Sequence, residues 1–425
     1  MEGLILFGVF LLLVFLNVNI ATSLAVSSVL TLVYMGQPLT MISSSIYTAM
    51  NKYALLAIPF FILAGVIMDK AGISSRLIRF ARAMVGHRKT GMISVTVIVC
   101  CFFAAISGSG PATVAALGAI LIPAMTSCGY DKGVGSALLA SSGAIGIIIP
   151  PSIAYVVYAS ITGTSVASLF MGGWIPGILL GISYVVAASW SSRNNKNIVR
   201  DKKASAKERW DAFKDAVWGL LMPVIILGGI YGGIFTPTEA AGVAVIYGLV
   251  VGIFVYREIK PKDLGAMFLE SAVGSATVMF IVACAGLFTY ALSVSGVAKS
   301  MTDAILSLSQ NKLVLMLIIN IIFLVAGCFV DANSAFYILM PIVMPIAMQL
   351  GIDPVHLGVF LTVNLAIGQI TPPVGVNLYA AAAVGNISAG DIIRKIVPFI
   401  VCGLVALMII TYIPQLTMVF VNMLN

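Results

Sequence analysis

Pro150-Pro151 recurs as Pro372-Pro373, an offset of 222 residues. The same offset carries Pro123 onto Pro345, Gly146 onto Gly368, Gly163 onto Gly385, Pro176 onto Pro398, and Gly129 and Asp131 onto Gly351 and Asp353. So many pairs in one register point to an internal duplication. These prolines and glycines interrupt long apolar stretches, and a helix broken inside hydrocarbon leaves N–H and C=O groups without partners. Such a break is tolerated only where protein or a wet cavity satisfies those groups. A chain with matching breaks in two halves is therefore constrained to a fold in which the breaks meet, as they do in transporters built from repeats.

The apolar background is pervasive. Of 425 residues, 60% are hydrophobic and 9% charged, and the mean hydropathy is +1.11, whereas a soluble domain carries about 25% charged residues. This composition predicts an all-α polytopic membrane protein, with spans of about 20 residues. The net charge of +8 is first an orientation signal, and nucleic-acid binding is not expected. The basic residues gather in four clusters: Arg76–Lys89, Arg193–Lys214, Arg257–Lys262 and Arg394-Lys395. All four are assigned to the cytoplasm. Met1–Leu16 has Glu2 where a signal peptide carries basic residues and runs into further apolar sequence, so it is expected to be the first span. The six cysteines lack metal-type spacing and suit small buried positions.

With the basic clusters inside, residues 1–190 form a first repeat and 217–425 a second, joined by a basic cytoplasmic connector at 191–216. Within the connector, 204–218 has the pattern of an amphipathic helix with Trp210, Phe213 and Trp218 at the headgroups, and equally suits a plain solvated linker. Each repeat is predicted to hold five crossings, one re-entrant hairpin (92–126 and 313–350) and one broken span (134–162 and 357–384). Five is odd, so the second repeat is inverted. The first hairpin opens to the cytoplasm, the second opens outward, and both termini are periplasmic.

Four breaks in two related pairs predict one shared polar cavity. In the first pair, the tip Ser107–Thr113 faces the break Gly143–Ser152. Hydroxyls and freed carbonyls are hard, uncharged oxygen ligands suited to an ion that must bind and leave, which nominates Ser107, Ser109, Gly143, Gly146 and Pro150 for one Na⁺. The serines also suit plain turn hydrogen bonds. In the second pair, Asp331 is the only acid between Asp303 and Asp353. A carboxylate inside the membrane is costly unless paired, which nominates Asp331, Asn333, Gly368, Thr371 and Pro372 for a second Na⁺. Capping the helix that begins near Asn333 is a compatible role for Asp331. Helix N-termini at the tips and after the double prolines favour an anionic substrate, contacted by Ser109, Thr113, Ser152, Ser334 and Asn377. These segments offer no Arg or Lys to clamp it.

Taken together, Ala57–Gly65, Ala105-Ile-Ser-Gly-Ser-Gly110, Leu121-Ile-Pro-Ala-Met125, Ile149-Pro-Pro-Ser-Ile153, Ile234–Ala241, Gly351–His356 and Thr371-Pro-Pro-Val-Gly375 resemble the large membrane subunit of the tripartite ATP-independent periplasmic (TRAP) transporters, end to end. The resemblance implies an elevator-type secondary transporter in the bacterial inner membrane. It would run on a Na⁺ gradient, take an organic acid from a soluble periplasmic binding protein, and pair with a small membrane (Q) subunit. It leans towards the sialic-acid members, with C4-dicarboxylates next. The rivals are a stand-alone Na⁺/carboxylate symporter and, remotely, an intramembrane aspartyl protease, which needs two apposed aspartates where one lies within a predicted span.

Overall fold

The computed structural model describes residues 1–424, the side chain of Leu424 apart. The helices α1 (Glu2–Phe15) and α2 (Ile20–Tyr34) divide the first apolar stretch. Asn17 turns between them with φ 63°, and Asn19 caps α2 by accepting from the Ala21 amide at 2.9 Å. There follow α3 (Thr40–Met50), α4 (Ala57–Lys70), α5 (Ile73–Val85), a hairpin of α6 (Gly91–Ser107) and α7 (Gly110–Ser127), then α8 (Lys132–Ala144), α9 (Ile153–Thr162), α10 (Val166–Gly172) and α11 (Trp174–Ser191). Beyond the connector come α12 (Ala206–Tyr231), α13 (Pro237–Val250), the 34-residue α14 (Pro261–Val294) and α15 (Val297–Leu308). A second hairpin of α16 (Lys312–Phe329) and α17 (Ala332–Gln349) leads to α18 (Pro354–Gly368), α19 (Val376–Gly385) and α20 (Ala389–Tyr412). Among the described residues, nine helical segments are long and apolar enough to cross a membrane.

Shifted by the 222-residue offset, the ends of α6, α7, α8 and α9 fall within two residues of those of α16, α17, α18 and α19. The shared breaks have the same local cause. A proline pair ends the helical ladder of α8 and of α18, because proline has no N–H and its ring clashes with the preceding turn; both proline pairs are joined by cis peptide bonds. Gly129 and Gly351 occupy the left-handed region after their hairpins, and Asp131 and Asp353 cap the next helices through the Val134 and Val355 amides.

Ion pairs gather the basic clusters at one end. Arg82 grips Asp201 with two bonds of 3.0 and 2.7 Å, Arg79 pairs with Asp215, and Arg76 reaches Glu258 at 3.1 Å. Arg193, Arg394 and Lys395 line one groove at that end. The base of the first hairpin is there too, since Asn195 donates to the Gly129 carbonyl at 2.8 Å and the Val199 amide to that of Cys128 at 2.9 Å. The base of the second hairpin lies at the other end, where Lys312 donates to the Gly351 carbonyl and the Tyr158 hydroxyl to that of Pro354. Between the two ends run α11 and α20, with Tyr184 against Phe399. Eighteen residues of α11 rise about 27 Å to the basic end. There α20 begins, and it runs back until the Thr411 carbonyl meets His356 at 3.1 Å. These offset partners are thus antiparallel.

At the centre, α8 is buried at every position except Lys132, and α18 at every position after Pro354; the small residues of α8 let its neighbours approach from all sides. The outer helices instead present large apolar side chains outward, among them Phe254, Phe268, Leu269 and Phe280, as lipid contact requires. One boundary differs from expectation. Residues 206–216 of the connector are helical, as the pattern predicts, but they run directly into the following span as the first turns of α12. The cause is a capping box: the Ser205 amide donates to Glu208 Oε2 at 2.6 Å and the Glu208 amide to Ser205 Oγ at 3.2 Å. From that start the helix runs on through Pro223 to Tyr231, and Trp210 stacks on Phe213 at its exposed edge.

Candidate functional site

At the first tip, α6 stops at Gly108, which sits at φ 61°. A Cβ there would come within 2.9 Å of the Pro151 carbonyl oxygen, so glycine is needed for both its conformation and its size. The Ile153 amide donates to the Gly108 carbonyl at 3.3 Å, tying the tip to the start of α9. Ser107 Oγ and Thr113 Oγ1 share a bond of 2.9 Å, and Thr113 Oγ1 donates to the Ser109 carbonyl at 2.8 Å. Gly146 closes over this knot, since a Cβ on it would lie 2.8 Å from the Ser109 oxygen. Ser152 caps α9 and donates to the Ile147 carbonyl at 2.5 Å.

The second tip is built from a carboxylate. Asp331 Oδ2 accepts from the amides of Asn333 at 3.0 Å and Ser334 at 3.3 Å, and Oδ1 accepts from the Ser334 hydroxyl. It is thus the N-cap of α17. The Cys328 carbonyl accepts from the amides of Val374 and Gly375, which ties this tip to its own break as Gly108 is tied to α9. Gly368 lets α18 touch α16, where a Cβ would stand 2.7 Å from the Gly327 backbone. Thr371 Oγ1 is committed to the Ile367 carbonyl at 2.7 Å.

Both tips and both breaks line one cleft of about 120 Å³. Gly108, Ser109 and Pro111 meet Asp331, Ala332 and Asn333 across it, with Ile147, Ile153 and Ala154 from one break and Gln369 and Val376 from the other. Of the nominated residues, Ser109, Asp331 and Asn333 form its wall. Ser107, Thr113, Gly146, Ser152 and Ser334 stand behind them, bonded to or packed on the tips. Pro150 and Pro372 shape the breaks. Gly143 packs against Val114, and Gly143, Gly368 and Thr371 are not among the lining residues. Asn377 is buried behind the first tip, where its Nδ2 donates to the Ala140 carbonyl at 3.2 Å.

That bond leaves Asn377 Oδ1 without a partner, and Gln369 Oε1 and Asn333 Oδ1 are buried without partners as well. A Cβ on Gly110 would lie 2.6 Å from Gln369 Oε1 and 3.2 Å from Asn377 Oδ1, so two unpaired carbonyl oxygens converge on the start of α7. Buried acceptors are rarely left unpaired. Two of the three residues, Asn333 and Gln369, line the cleft together with the Asp331 carboxylate, which makes it acceptor-rich and suits a cation. The helix starts of α7, α9, α17 and α19, by contrast, turn their positive dipole ends to the same cleft, although the amides of Ile153, Asn333, Ser334 and Asn377 are already bonded within the protein. No Lys or Arg lines it. Among the described residues no three His, Cys, Asp or Glu side chains converge on one point, so a cation here would be held by neutral oxygens and one carboxylate.

Linear register did not reveal the crosswise packing: α7 lies on α19 and α17 on α9, which sets Gln369 of the second half against Gly110 of the first. The signal was present in two polar residues, Gln369 and Asn377, flanking a break in an apolar span, but an offset pairs each tip only with its own break. Val278 of α14, the one outer-wall residue at the cleft, had no signal within its apolar helix.

The sequence pattern of the tripartite ATP-independent periplasmic transporter DctM component matches residues 7–416. The chain is 42% identical over 419 residues to the isethionate TRAP transporter permease protein DctMQ of Oleidesulfovibrio alaskensis, spanning 98% of this chain but 66% of that protein, just under two thirds of its length. It is 43% identical over 404 residues to the C4-dicarboxylate TRAP transporter large permease protein DctM of Pseudomonas aeruginosa (95% and 94% of the two chains). It is 33% identical over 420 residues to the sialic acid TRAP transporter permease protein SiaT of Haemophilus influenzae (98% and 68%). Among solved structures, the YdaH transporter of Alcanivorax borkumensis matches 88% of each chain with a TM-score of 0.62 at 16% identity, a likeness of fold alone. An all-α, multi-pass architecture with paired broken helices and a sequence match along nearly its whole length lead to one assignment: this chain is a transporter permease, not an enzyme, and belongs to the DctM-component family of the tripartite ATP-independent periplasmic transporters.

Proposed function

We propose that this chain imports a small organic acid across the bacterial inner membrane, driven by Na⁺, as the large subunit of an assembly with a small membrane (Q) subunit and a periplasmic binding protein. The observation that carries the proposal is the single cleft shared by both tips and both breaks. Its unpaired amide oxygens and Asp331 suit cations, and its helix N-termini suit an anion. An organic anion entering beside the Asp331 carboxylate meets like-charge repulsion that bound Na⁺ would cancel, so cation and substrate would bind cooperatively. Such linkage makes uptake depend on the gradient.

The antiparallel course of α11 and α20 and the opposite placement of the two hairpin bases support an inverted duplication. The basic residues collected at one end support placing that end in the cytoplasm. Apart from Val278, the cleft is lined entirely by hairpins and broken helices. That supports an elevator, in which those elements carry the site as a unit past the outer helices. For the substrate, the relatives named for isethionate and C4-dicarboxylates share 42% and 43% identity against 33% for the one named for sialic acid. We therefore place a small carboxylate or sulfonate ahead of sialic acid, the reverse of the order suggested by sequence resemblance.

The test is uptake of labelled malate, isethionate and sialic acid into proteoliposomes under an inward Na⁺ gradient, with the two partners added or omitted. Uptake of one of them that requires Na⁺ and both partners is expected. Uptake by this chain alone would instead identify a stand-alone symporter. In the same assay, the double change Ser107→Ala, Ser109→Ala is expected to cut uptake at least about tenfold, since it removes two of the few hydroxyl ligands within reach of the first cation position. Uptake at the unmodified rate would remove the first Na⁺ assignment.

A further inference from the structure

A second cavity, of about 390 Å³, lies between the scaffold helices α3 and α14 and the site helices α9 and α17. Three helices connect it to the central cleft. Val278, Ile153 and Ala332 line the cleft, while Gly286, Ile161 and Tyr337 on the same helices line the outer cavity, roughly 8–12 Å further along at the helical rise. Every step leads away from the basic end, because α9 and α17 run from the cleft to the far end, where Tyr158 meets Pro354. The outer cavity therefore lies on the far-end side of the site, along the same helices.

Its lining differs in chemistry from the cleft. Lys52 stands in the wall and donates to the Ser160 carbonyl. Among the described residues no carboxylate pairs with it, and partial burial pulls its ammonium below the ordinary lysine pKa. Around it are the hydroxyls of Ser44, Ser45, Thr48 and Tyr290, which make no hydrogen bond within the protein, and that of Tyr337, shared with Ser160 at 3.3 Å. The contrast with α2 is informative. There the buried Ser23, Ser27, Ser28 and Thr31 donate back to carbonyls of their own helix or its cap, and only the exposed Thr22 makes no such bond. The α3 hydroxyls do not, and they are left free beside an unpaired cation.

We propose that this outer cavity is an entry site for the anionic head of the substrate, a carboxylate or sulfonate, held by Lys52 and the α3 hydroxyls before it passes to the central cleft. The assignment rests on the transport reading above, with the far end facing the periplasm. Lys52 would then act on capture and leave the translocation step alone. The competing role is structural, with Lys52 serving only as a tether from the α3–α4 link to α9. Lys52→Gln separates the two, because it retains a donor for the Ser160 carbonyl and removes the charge.

The first measurement needs no transport. In the full-length protein carrying Ser44→Cys, modification rates are measured with an anionic methanethiosulfonate (the ethylsulfonate) and a cationic one (the trimethylammonium-ethyl), the Ser44-containing chain giving the background of its own cysteines. Lys52→Gln is expected to lower the anionic-to-cationic rate ratio by about tenfold, roughly threefold for each sign of probe from one unit charge at a wet cavity, and Lys52→Arg to preserve it. An unchanged ratio in Lys52→Gln overturns the entry site. In the uptake assay, Lys52→Gln is expected to raise KM by about tenfold with kcat unchanged, and Lys52→Arg to restore it. A normal KM in Lys52→Gln, with loss of folded protein only in Lys52→Ala, identifies the tether and also overturns the entry site. Should no organic acid be transported by the unmodified assembly, the transport reading fails, and the cysteine ratio still decides whether the outer cavity attracts anions.

Discussion

Asp331→Asn is expected to leave the protein folded and to abolish Na⁺-driven uptake. Asparagine caps a helix about as well as aspartate, and its Oδ1 retains an acceptor for the Asn333 and Ser334 amides that Asp331 now satisfies. What it loses is the charge. Removing one partner of a buried charge pair costs about 3–5 kcal/mol, or roughly a hundred- to a few thousandfold in cation affinity, and for the half-buried Asp331 the lower end of that range is expected. Asp331→Ala loses the cap as well, and so is expected to add a stability loss of about 1 kcal/mol. The pair of variants distinguishes the two roles of this carboxylate. If it only caps α17, Asp331→Asn transports like the unmodified protein and Asp331→Ala is merely less stable. Initial rates in proteoliposomes across a range of Na⁺ concentrations, with detergent gel filtration as the folding control, read both.

The sequence disclosed much of this site because its landmarks are backbone landmarks. Proline pairs, a capping aspartate and left-handed glycines act on the chain within a few residues, so the helices α6 to α9 and α16 to α19 could be anticipated nearly to their ends. The same locality explains what stayed hidden. Gln369 facing Gly110 depends on how hairpin and broken helix pack across the halves, and packing of apolar faces leaves no trace in register. The role of Gly368 illustrates the limit: as the counterpart of Gly146 it suggested an ion position, whereas its nearest neighbour is the Gly327 backbone, and what it permits is close contact of two helices. The α12 start at Ala206 was legible in the Ser205/Glu208 spacing, but the charge pattern around it drew attention to a surface helix. Lys52 carried no motif at all, and only the free hydroxyls beside it distinguish it from a solvated loop lysine.

Gly146→Ala is expected to disable transport, although the same change at Gly242 should be harmless. Both glycines are buried or half-buried in helical segments, and in a helix interior alanine is normally favoured over glycine by about 1 kcal/mol. Their surroundings reverse the outcome. A Cβ on Gly242 meets nothing within 4 Å, whereas one on Gly146 would lie 2.8 Å from the Ser109 carbonyl oxygen, 3.0 Å from its carbon and 3.1 Å from Thr113 Oγ1. Two of these atoms are backbone and cannot rotate away, so the first tip must be displaced from the broken helix by several tenths of an ångström. Overpacking of this kind typically costs about 1–3 kcal/mol. The greater effect falls on geometry, because the displaced atoms are the ones nominated to hold the first cation. Uptake is therefore expected to fall by at least about tenfold, the equivalent of 1.4 kcal/mol, with a lowered thermal midpoint in detergent, while Gly242→Ala matches or slightly exceeds the unmodified protein in both. Equal uptake by the two variants would mean that the knot of Ser107, Ser109 and Thr113 is free to shift without consequence, and that the cation is held elsewhere.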